Sequence, residues 1–189
     1  IRGSSTSRGL ADVYKRQAII EQFFIWISGV LSGDFGTSIS LRQPVLSLVL
    51  GRLPATLELS FLALLIACIL GGTLSLLGTR LRETKIEGII DGINGIAMSI
   101  PDFLWGLIFI LLFGVMWPIF HISGRISPFL DIDYSTQFYL MESILRFDLK
   151  VFTDLLAHML MPAVALSIPL AAIISQLLKQ SLKETMHLD

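Results

Sequence analysis

The sequence has little of what a disulfide-rich domain, a zinc protein or a nucleic-acid-binding protein requires. It contains one cysteine, Cys68, among 189 residues, which excludes a disulfide framework or a cysteine-based metal site within the chain. Its 14 Lys and Arg against 15 Asp and Glu give a net charge of −1, which provides no basic surface for nucleic acid. Because Cys68 lies within an apolar stretch, we expect it to be a small buried hydrophobe.

Motifs that carry enzyme chemistry are also missing from the sequence. It has no GxxxxGK(S/T) phosphate loop and no HExxH motif, so we expect neither ATP hydrolysis by this chain nor a zinc site of that type. The local motifs of a Ser/His/Asp triad are absent as well. The histidines are too dispersed to indicate a metal site, at positions His121, His158 and His187. We therefore expect no catalytic residue, no metal and no cofactor.

What the sequence does contain is long apolar stretches. Hydrophobic residues make up 53% of the chain and the mean hydropathy is +0.76, values typical of helical membrane proteins. From Leu59 to Thr79 there are 21 residues without a charge. As a helix this stretch would be about 31 Å long, close to the hydrocarbon thickness of a bilayer. These features predict an all-α membrane protein.

Length and charge predict three spans, which cover residues 53–79, 87–117 and 156–178. The short loop 80–86 contains three basic residues, which places it on the cytoplasmic side by the positive-inside rule. Residues 118–155 are polar and contain more acids than bases, so we predict an exterior segment. Lysines follow the third span, so residues 179–189 should return to the cytoplasm as the start of a coupling region.

The beginning of the first span shows the expected signals of a helix start. Pro54 would occupy the first helical position, where proline loses no internal hydrogen bond. Glu58 follows one turn later, near the positive end of the helix dipole. We interpret Glu58 as a stabilising interfacial acid, with a transport role as the alternative.

Small residues recur every four positions in the first and third spans. Four-residue spacing places them on one helix face, where another helix backbone can approach closely. The alternative is that these small residues face lipid and do not form a packing surface. The predicted packing residues are Ala63, Ala67, Gly71 and Ser75 in the first span, and Ala163, Ser167, Ala171 and Ser175 in the third.

The segment before the first span divides into two parts. Residues 1–17 are rich in Ser and Arg and lack apolar periodicity, which indicates either a non-native cloning scar or a disordered tail. Residues 18–52 are predicted to be an exterior amphipathic helix over 18–32 followed by a loop. Trp26 suits the headgroup level of the membrane.

Pro101 should kink or break the second span. Asp102 follows it and is an acid well inside the predicted span, where ionisable residues are costly and face a cavity or a partner. Alternatively, the break lets Asp102 reach the interface as a local cap. Both alternatives stay open from the sequence.

Six segments, in this order, resemble the permease subunit of bacterial dipeptide/oligopeptide/nickel ABC importers. They are GDFGTS (33–38), RLPATLEL (52–59), SIPDFLWG (99–106), HISGR (121–125), HMLMPAVALSIPLAA (158–172) and KQSLKETMHLD (179–189). The resemblance covers roughly residues 18–189 and implies part of the type I importer (MetI-like) permease fold, about three of its six transmembrane helices. The family's first helix would precede Ala18, and its cytoplasmic coupling loop would begin just after Asp189.

The resemblance implies a multi-pass protein of the bacterial cytoplasmic (inner) membrane that works by alternating access. Its expected partners are a second permease subunit, two cytoplasmic ATPase subunits and an extracytoplasmic substrate-binding protein. Candidates for lining the path are Ser99, Pro101, Asp102 and Trp105, and candidates for the start of the coupling region are Lys179, Ser181, Glu184 and Asp189.

The rival interpretations are a non-transporting membrane scaffold and an intramembrane enzyme. Substrates of such relatives include dipeptides, longer peptides, nickel chelates and antimicrobial peptides.

Overall fold

A computed structural model describes residues 19–186 of the chain. The regular secondary structure of this part consists of helices. Neither residues 1–17 nor Asp189 fall within it, so the predictions made for them stay untested. No strand occurs in the described range apart from an isolated bridge between Thr37 and Pro44. The helices are α1 (Ile19–Leu31), α2 (Val45–Arg80), α3 (Lys85–Ser99), α4 (Asp102–Phe109), α5 (Tyr139–Leu145) and α6 (Leu149–Met186).

Contacts divide the chain into two units, residues 1–53 and residues 54–189. In the first unit, α1 occupies the range predicted for an amphipathic helix and ends in a turn. Asp34 accepts a hydrogen bond from the N–H of Gly36 at 2.9 Å. Gly36 has φ +72°, a left-handed conformation that glycine adopts without a steric penalty.

The helix that contains the first predicted span starts earlier than expected. α2 begins at Val45, directly after Pro44, and continues to Arg80. Pro54 therefore lies inside the helix, and the prediction that it occupies the first helical position is wrong. A proline inside a helix removes one backbone hydrogen bond, and membrane helices tolerate this loss when the neighbouring structure compensates for it.

The second predicted span is broken at Pro101. α3 ends at Ser99, and α4 begins at Asp102 and continues as a π-helix from Ile110 to Met116, with a bend of 98° between the two arms. The residue before a proline is disfavoured in the helical conformation, and Ile100 has φ −91° and ψ 123°, which is extended. The break therefore follows from local sterics.

Two helices of the described range, α2 and α6, are long and apolar enough to cross a membrane, and the bent pair would make a third span. Large apolar side chains on α2 point outward, including Phe61 and Ile69, which are 69% and 57% exposed. Cys68 is exposed on the same surface, so the expectation that it is buried is wrong. It follows Ala67 by one position, which rotates it away from the buried face. The fold is that of an all-α membrane protein and is consistent with the MetI-like class.

The eight small residues predicted to pack on α2 and α6 are all buried in the structure. Gly71 is the point of closest approach: a Cβ at this position would lie 2.7 Å from the carbonyl oxygen of Ala171 and 2.8 Å from the Cβ of Ile174. The buried set is Ala63, Ala67, Gly71 and Ser75 on α2, and Ala163, Ser167, Ala171 and Ser175 on α6. In a membrane, such close backbone approach supplies the packing energy that the hydrophobic effect cannot.

Two contacts define the direction of α2 relative to α6. Gly71 lies against Ala171 and Ile174, and Gly78 lies against the side chain of Lys179. Residue numbers increase together along both helices, so α2 and α6 run parallel. This agrees with the alternation expected of a first and a third span.

We predict that Gly71→Ala lowers the free energy of unfolding by about 1–3 kcal/mol, because the new methyl group overlaps the α6 backbone. The measurement is unfolding of the purified protein in detergent micelles. Gly72→Ala is the matched control, since a Cβ at Gly72 meets no atom within 4 Å. Equal destabilisation by the two substitutions would contradict the close-packing interpretation.

Candidate functional site

A groove of about 480 Å³ opens beside the break between α3 and α4. Residues of α2, the break itself and α6 line it, and most of them are apolar. Pro101 and Asp102 lie in its wall, and Asp102 is the charged residue among the lining side chains. The groove therefore places one carboxylate where α2, the break and α6 meet.

Asp102 is the first residue of α4 and is exposed. Its Oδ1 accepts a hydrogen bond from the N–H of Phe103, the next residue, at 3.0 Å. Within residues 19–186, no ion pair involves Asp102. Asp102 thus lies both at a helix start and in the wall of the groove, and the two alternatives for it stay open.

The other two path candidates lie elsewhere. Trp105 lines a separate apolar pocket of about 360 Å³, and its Nε1 is buried without a hydrogen-bond partner in the described part of the chain. Ser99 is exposed, and its hydroxyl donates to the carbonyl of Gly95 in its own helix at 2.7 Å. The structure therefore brings Pro101 and Asp102 together in the groove but does not place Ser99 and Trp105 there.

Three polar contacts join α3 to α6, and we refer to them as the polar ladder. Lys183 pairs with Glu87 at 3.1 Å; Lys179 pairs with Asp91 at 2.7 Å; and Asn94 Nδ2 donates to Ser175 Oγ at 3.1 Å. Lys179 Nζ also lies 2.9 Å from Glu87 Oε1. Residue numbers rise on α3 as they fall on α6, so these helices run antiparallel.

Of the predicted coupling-region residues, Lys179 is buried, at 6% exposure. Ser181 is exposed and accepts a hydrogen bond through its carbonyl from Thr185, and Glu184 is exposed and accepts one from Gln180. Ser181 and Glu184 thus lie on the outer surface of the last turns of α6, whereas Lys179 faces the bundle.

Glu58 lies at the opposite end of the bundle, where it stabilises a different helix from the one predicted. Its Oε1 accepts hydrogen bonds from the N–H groups of Leu140 and Met141, at 2.8 and 3.2 Å. Its Oε2 pairs with Arg125 at 2.6 Å. Because α2 starts at Val45, Glu58 is not in its first turn, and the interpretation of Glu58 through the α2 dipole is wrong. It stabilises the N-terminus of α5 instead.

A second buried carboxylate, that of Glu142, organises the segment between α4 and α6. Glu142 accepts hydrogen bonds from the N–H and hydroxyl groups of both Ser135 and Thr136, at 2.6 to 3.1 Å. Arg146 completes the site as an ion-pair partner. Hydrogen bonding to the charged form, above all from Thr136, lowers the pKa of Glu142 from its ordinary value of 4.5 to about 2.

Two histidines that are far apart in the sequence are stacked in space. The rings of His121 and His158 have centroids 3.9 Å apart and lie within 14° of parallel. His158 Nδ1 is 2.8 Å from the carbonyl oxygen of Asp154, and the Asp154 carboxylate accepts two hydrogen bonds from Ser127. The large separation of these histidines along the sequence therefore did not indicate how close their rings lie in space. No group of three potential metal ligands occurs among residues 19–186.

Several known permeases are similar to this chain over most of its length. One alignment covers the whole chain and 57% of the dipeptide transport system permease protein DppB of Escherichia coli strain K12, at 32% identity. The di/tripeptide transport system permease protein DppB of Pseudomonas aeruginosa is 32% identical over 90% of the chain and 51% of its own length. The probable D,D-dipeptide transport system permease protein DdpB of E. coli is also 32% identical, over 92% of the chain and 51% of its own length.

The chain belongs to the dipeptide ABC permease family. This confirms the resemblance inferred from the six sequence segments. No family model matches the chain. The chain spans about half the length of the permease relatives given above.

Sequence reasoning missed the partners of the buried polar groups in this chain. The charge pattern counts Glu142 and Arg125 only among the charges of the predicted exterior segment, and it assigns no partner to Asp91 or Asn94. A signal for the polar ladder was present, since Glu87, Asp91 and Asn94 are spaced by four and three residues and share one helix face. The partner face on α6 could not be found in the same way, because contacts between helices do not follow from spacing within one helix.

We predict that Glu142 stabilises the segment around Ser135 and Thr136 fully above about pH 5, and that this contribution is lost as the pH falls toward 2. The sign follows from the lowered pKa: the folded state holds the carboxylate ionised, so protonation favours unfolding. The measurement is thermal unfolding of the protein and of Glu142→Gln in detergent from pH 7 to 3. The melting-temperature difference between them should narrow on acidification, and a pH-independent difference would contradict the assignment.

Proposed function

We propose that this chain is part of the membrane permease of an ATP-driven importer that moves peptides across the bacterial cytoplasmic membrane. Membership of the dipeptide ABC permease family supports this proposal, as do the two or three apolar spans. The relatives are transport permeases, so a non-transporting scaffold is not favoured. Their names refer to dipeptides and di/tripeptides, which favours peptides over nickel chelates as substrates.

The observation that carries the proposal is the groove at the helix break. A carboxylate in an apolar bundle is costly unless it faces a cavity or a partner, and such residues mark substrate pathways in transporters. Discontinuous helices are a recurring way to build binding sites within membranes. Asp102 meets both conditions, since it begins α4 after the break and lies in the groove wall. We assign Pro101 and Asp102 to the translocation path.

The proposed orientation places the Lys179 end of the bundle in the cytoplasm and the Glu58 end outside. Basic residues cluster at the first of these ends: Arg80 ends α2, Arg82 follows it and Lys85 begins α3, while Lys179 and Lys183 lie near the end of α6. Within this orientation, the spans lie in α2, in the α3–α4 pair and in α6. The residues between α4 and α6 form an exterior segment.

The proposed mechanism is alternating access. A second permease subunit would complete the path, and an extracytoplasmic binding protein would deliver the peptide. Two cytoplasmic ATPase subunits would drive the change between outward and inward states through a coupling region near the end of α6. The permease itself would not hydrolyse ATP, in keeping with the absence of a phosphate loop from this sequence.

We predict that Asp102→Asn and Asp102→Leu each reduce peptide uptake by about tenfold, the effect of losing about 1.4 kcal/mol of interaction. Uptake of a labelled dipeptide is measured in cells that express the complete permease with its partners. The amount of permease in the membrane fraction should not change.

Asp131→Asn is the matched control for this experiment. Asp131 is an exposed acid in the exterior segment, away from the groove lining, so its substitution should leave uptake unchanged. Normal uptake by both Asp102 variants would remove Asp102 from the path.

A further inference from the structure

The polar ladder between α3 and α6 is the most extensive set of polar contacts between two helices of the described bundle. Its rungs join Glu87 to Lys183, Asp91 to Lys179 and Asn94 to Ser175. They are separated by four and three residues on α3 and by four residues on α6, which is one helical turn each time. The ladder therefore extends over about two turns of both helices.

Burial along the ladder is greatest at the rung nearest the helix break. The Asp91 side chain is 52% exposed, and that of Glu87 is 15% exposed. Lys179 is 6% exposed, and Asn94 and Ser175 are almost fully buried, at 1% and 0%. An unpaired ammonium or amide in such surroundings is costly, so the rungs resist separation.

The ladder fixes the register of α3 on α6. Sliding one helix past the other by a single turn would move it by about 5.4 Å, which separates all three rungs together. Lys179 is the central element, since its Nζ contacts both oxygens of Asp91, at 2.7 and 2.8 Å, and Glu87 at 2.9 Å. Removal of Lys179 therefore weakens two of the links at once.

The ladder also connects two functionally distinct places in the proposed transporter. α6 continues from Lys179 to Met186, over residues with which the coupling region is proposed to begin. α3 ends at Ser99, directly before the break that carries Asp102. A displacement of the end of α6 is thus carried by α3 to the break, provided that the ladder stays closed.

From these contacts we propose that α3 and the Lys179 end of α6 move as one rigid body during transport. Lys179 is then a positioning residue that transmits the movement of α6 to the helix break at Pro101. This inference rests on the proposed function of the chain as part of an ATP-driven peptide permease.

The first test uses the complete transporter, with its partner subunits, in proteoliposomes. Lys179→Met should reduce dipeptide transport by about tenfold, within the usual range of coupling between sites, while ATP hydrolysis changes less than about twofold. Lys150→Met is the matched control, since Lys150 is an exposed lysine at the other end of α6, and both activities should be retained. An equal loss of transport and ATP hydrolysis in Lys179→Met would assign Lys179 a merely structural role and overturn the inference.

The second test closes the ladder covalently, first in a protein that retains Lys179, so that its main outcome does not depend on how well Lys179→Met folds. Asn94→Cys and Ser175→Cys are combined with Cys68→Ala. The two introduced cysteines are then oxidised to a disulfide, and mass spectrometry verifies this cross-link. If α3 and α6 move together, transport is retained after oxidation, and the cross-link restores transport to Lys179→Met. Loss of transport on oxidation that reduction reverses would show that the ladder must open, which overturns the inference.

The unmodified transporter separates failure of this inference from failure of the proposed function. Dipeptide transport by the unmodified complex, together with inhibition by the cross-link, contradicts only the rigid-body movement. Absence of dipeptide transport in the unmodified complex overturns the proposed function, and the inference that rests on it fails as well.

Discussion

A charged group inside an apolar helix bundle needs a partner within the protein, and this constraint fixes where the helices of this chain lie. Lipid offers no hydrogen bonds in exchange, so each buried carboxylate, ammonium or amide acts as a specific attachment point. At one end of the bundle, Glu58 joins α2 to α5 and to Arg125. At the other end, Lys179 joins α6 to α3. The same constraint accounts for the connections at both ends.

Between these ends, the helices are held by contact between small residues. Gly71 lets the backbone of α2 approach Ala171 so closely that even a methyl group would overlap it. Such packing needs accurate helix register, because a shift by one position would place a large apolar side chain in the contact. The polar attachments fix the position of α6 against α3 and that of α2 against α5. Close packing and polar pairing are therefore complementary: the first lets the helix backbones approach closely, and the second favours one arrangement of the helices.

The sequence predicted the broad architecture well and the individual contacts poorly. The apolar runs located α2 and α6, and the break in the second span lies at Pro101, where proline sterics place it. By contrast, Cys68 is exposed although it lies in the middle of an apolar run. Its exposure depends on which face of α2 meets α6. His121 and His158 are stacked although 37 positions separate them, since the chain between α4 and α6 folds back onto the start of α6.

By itself the sequence determined the helical membrane class, the approximate extent of the spans, the position of the helix break and the family. These properties depend on local sterics, on hydropathy summed over about 20 residues and on the order of short motifs. Only the tertiary structure decided that Glu58 stabilises α5 rather than its own helix, and that Lys179 is buried against Asp91. It also decided that Asp102 lines the groove at the helix break, whereas Trp105 lines a different pocket. The physical reason is that a buried polar side chain is satisfied by whichever helix packs beside it, and spacing along one helix does not specify that neighbour.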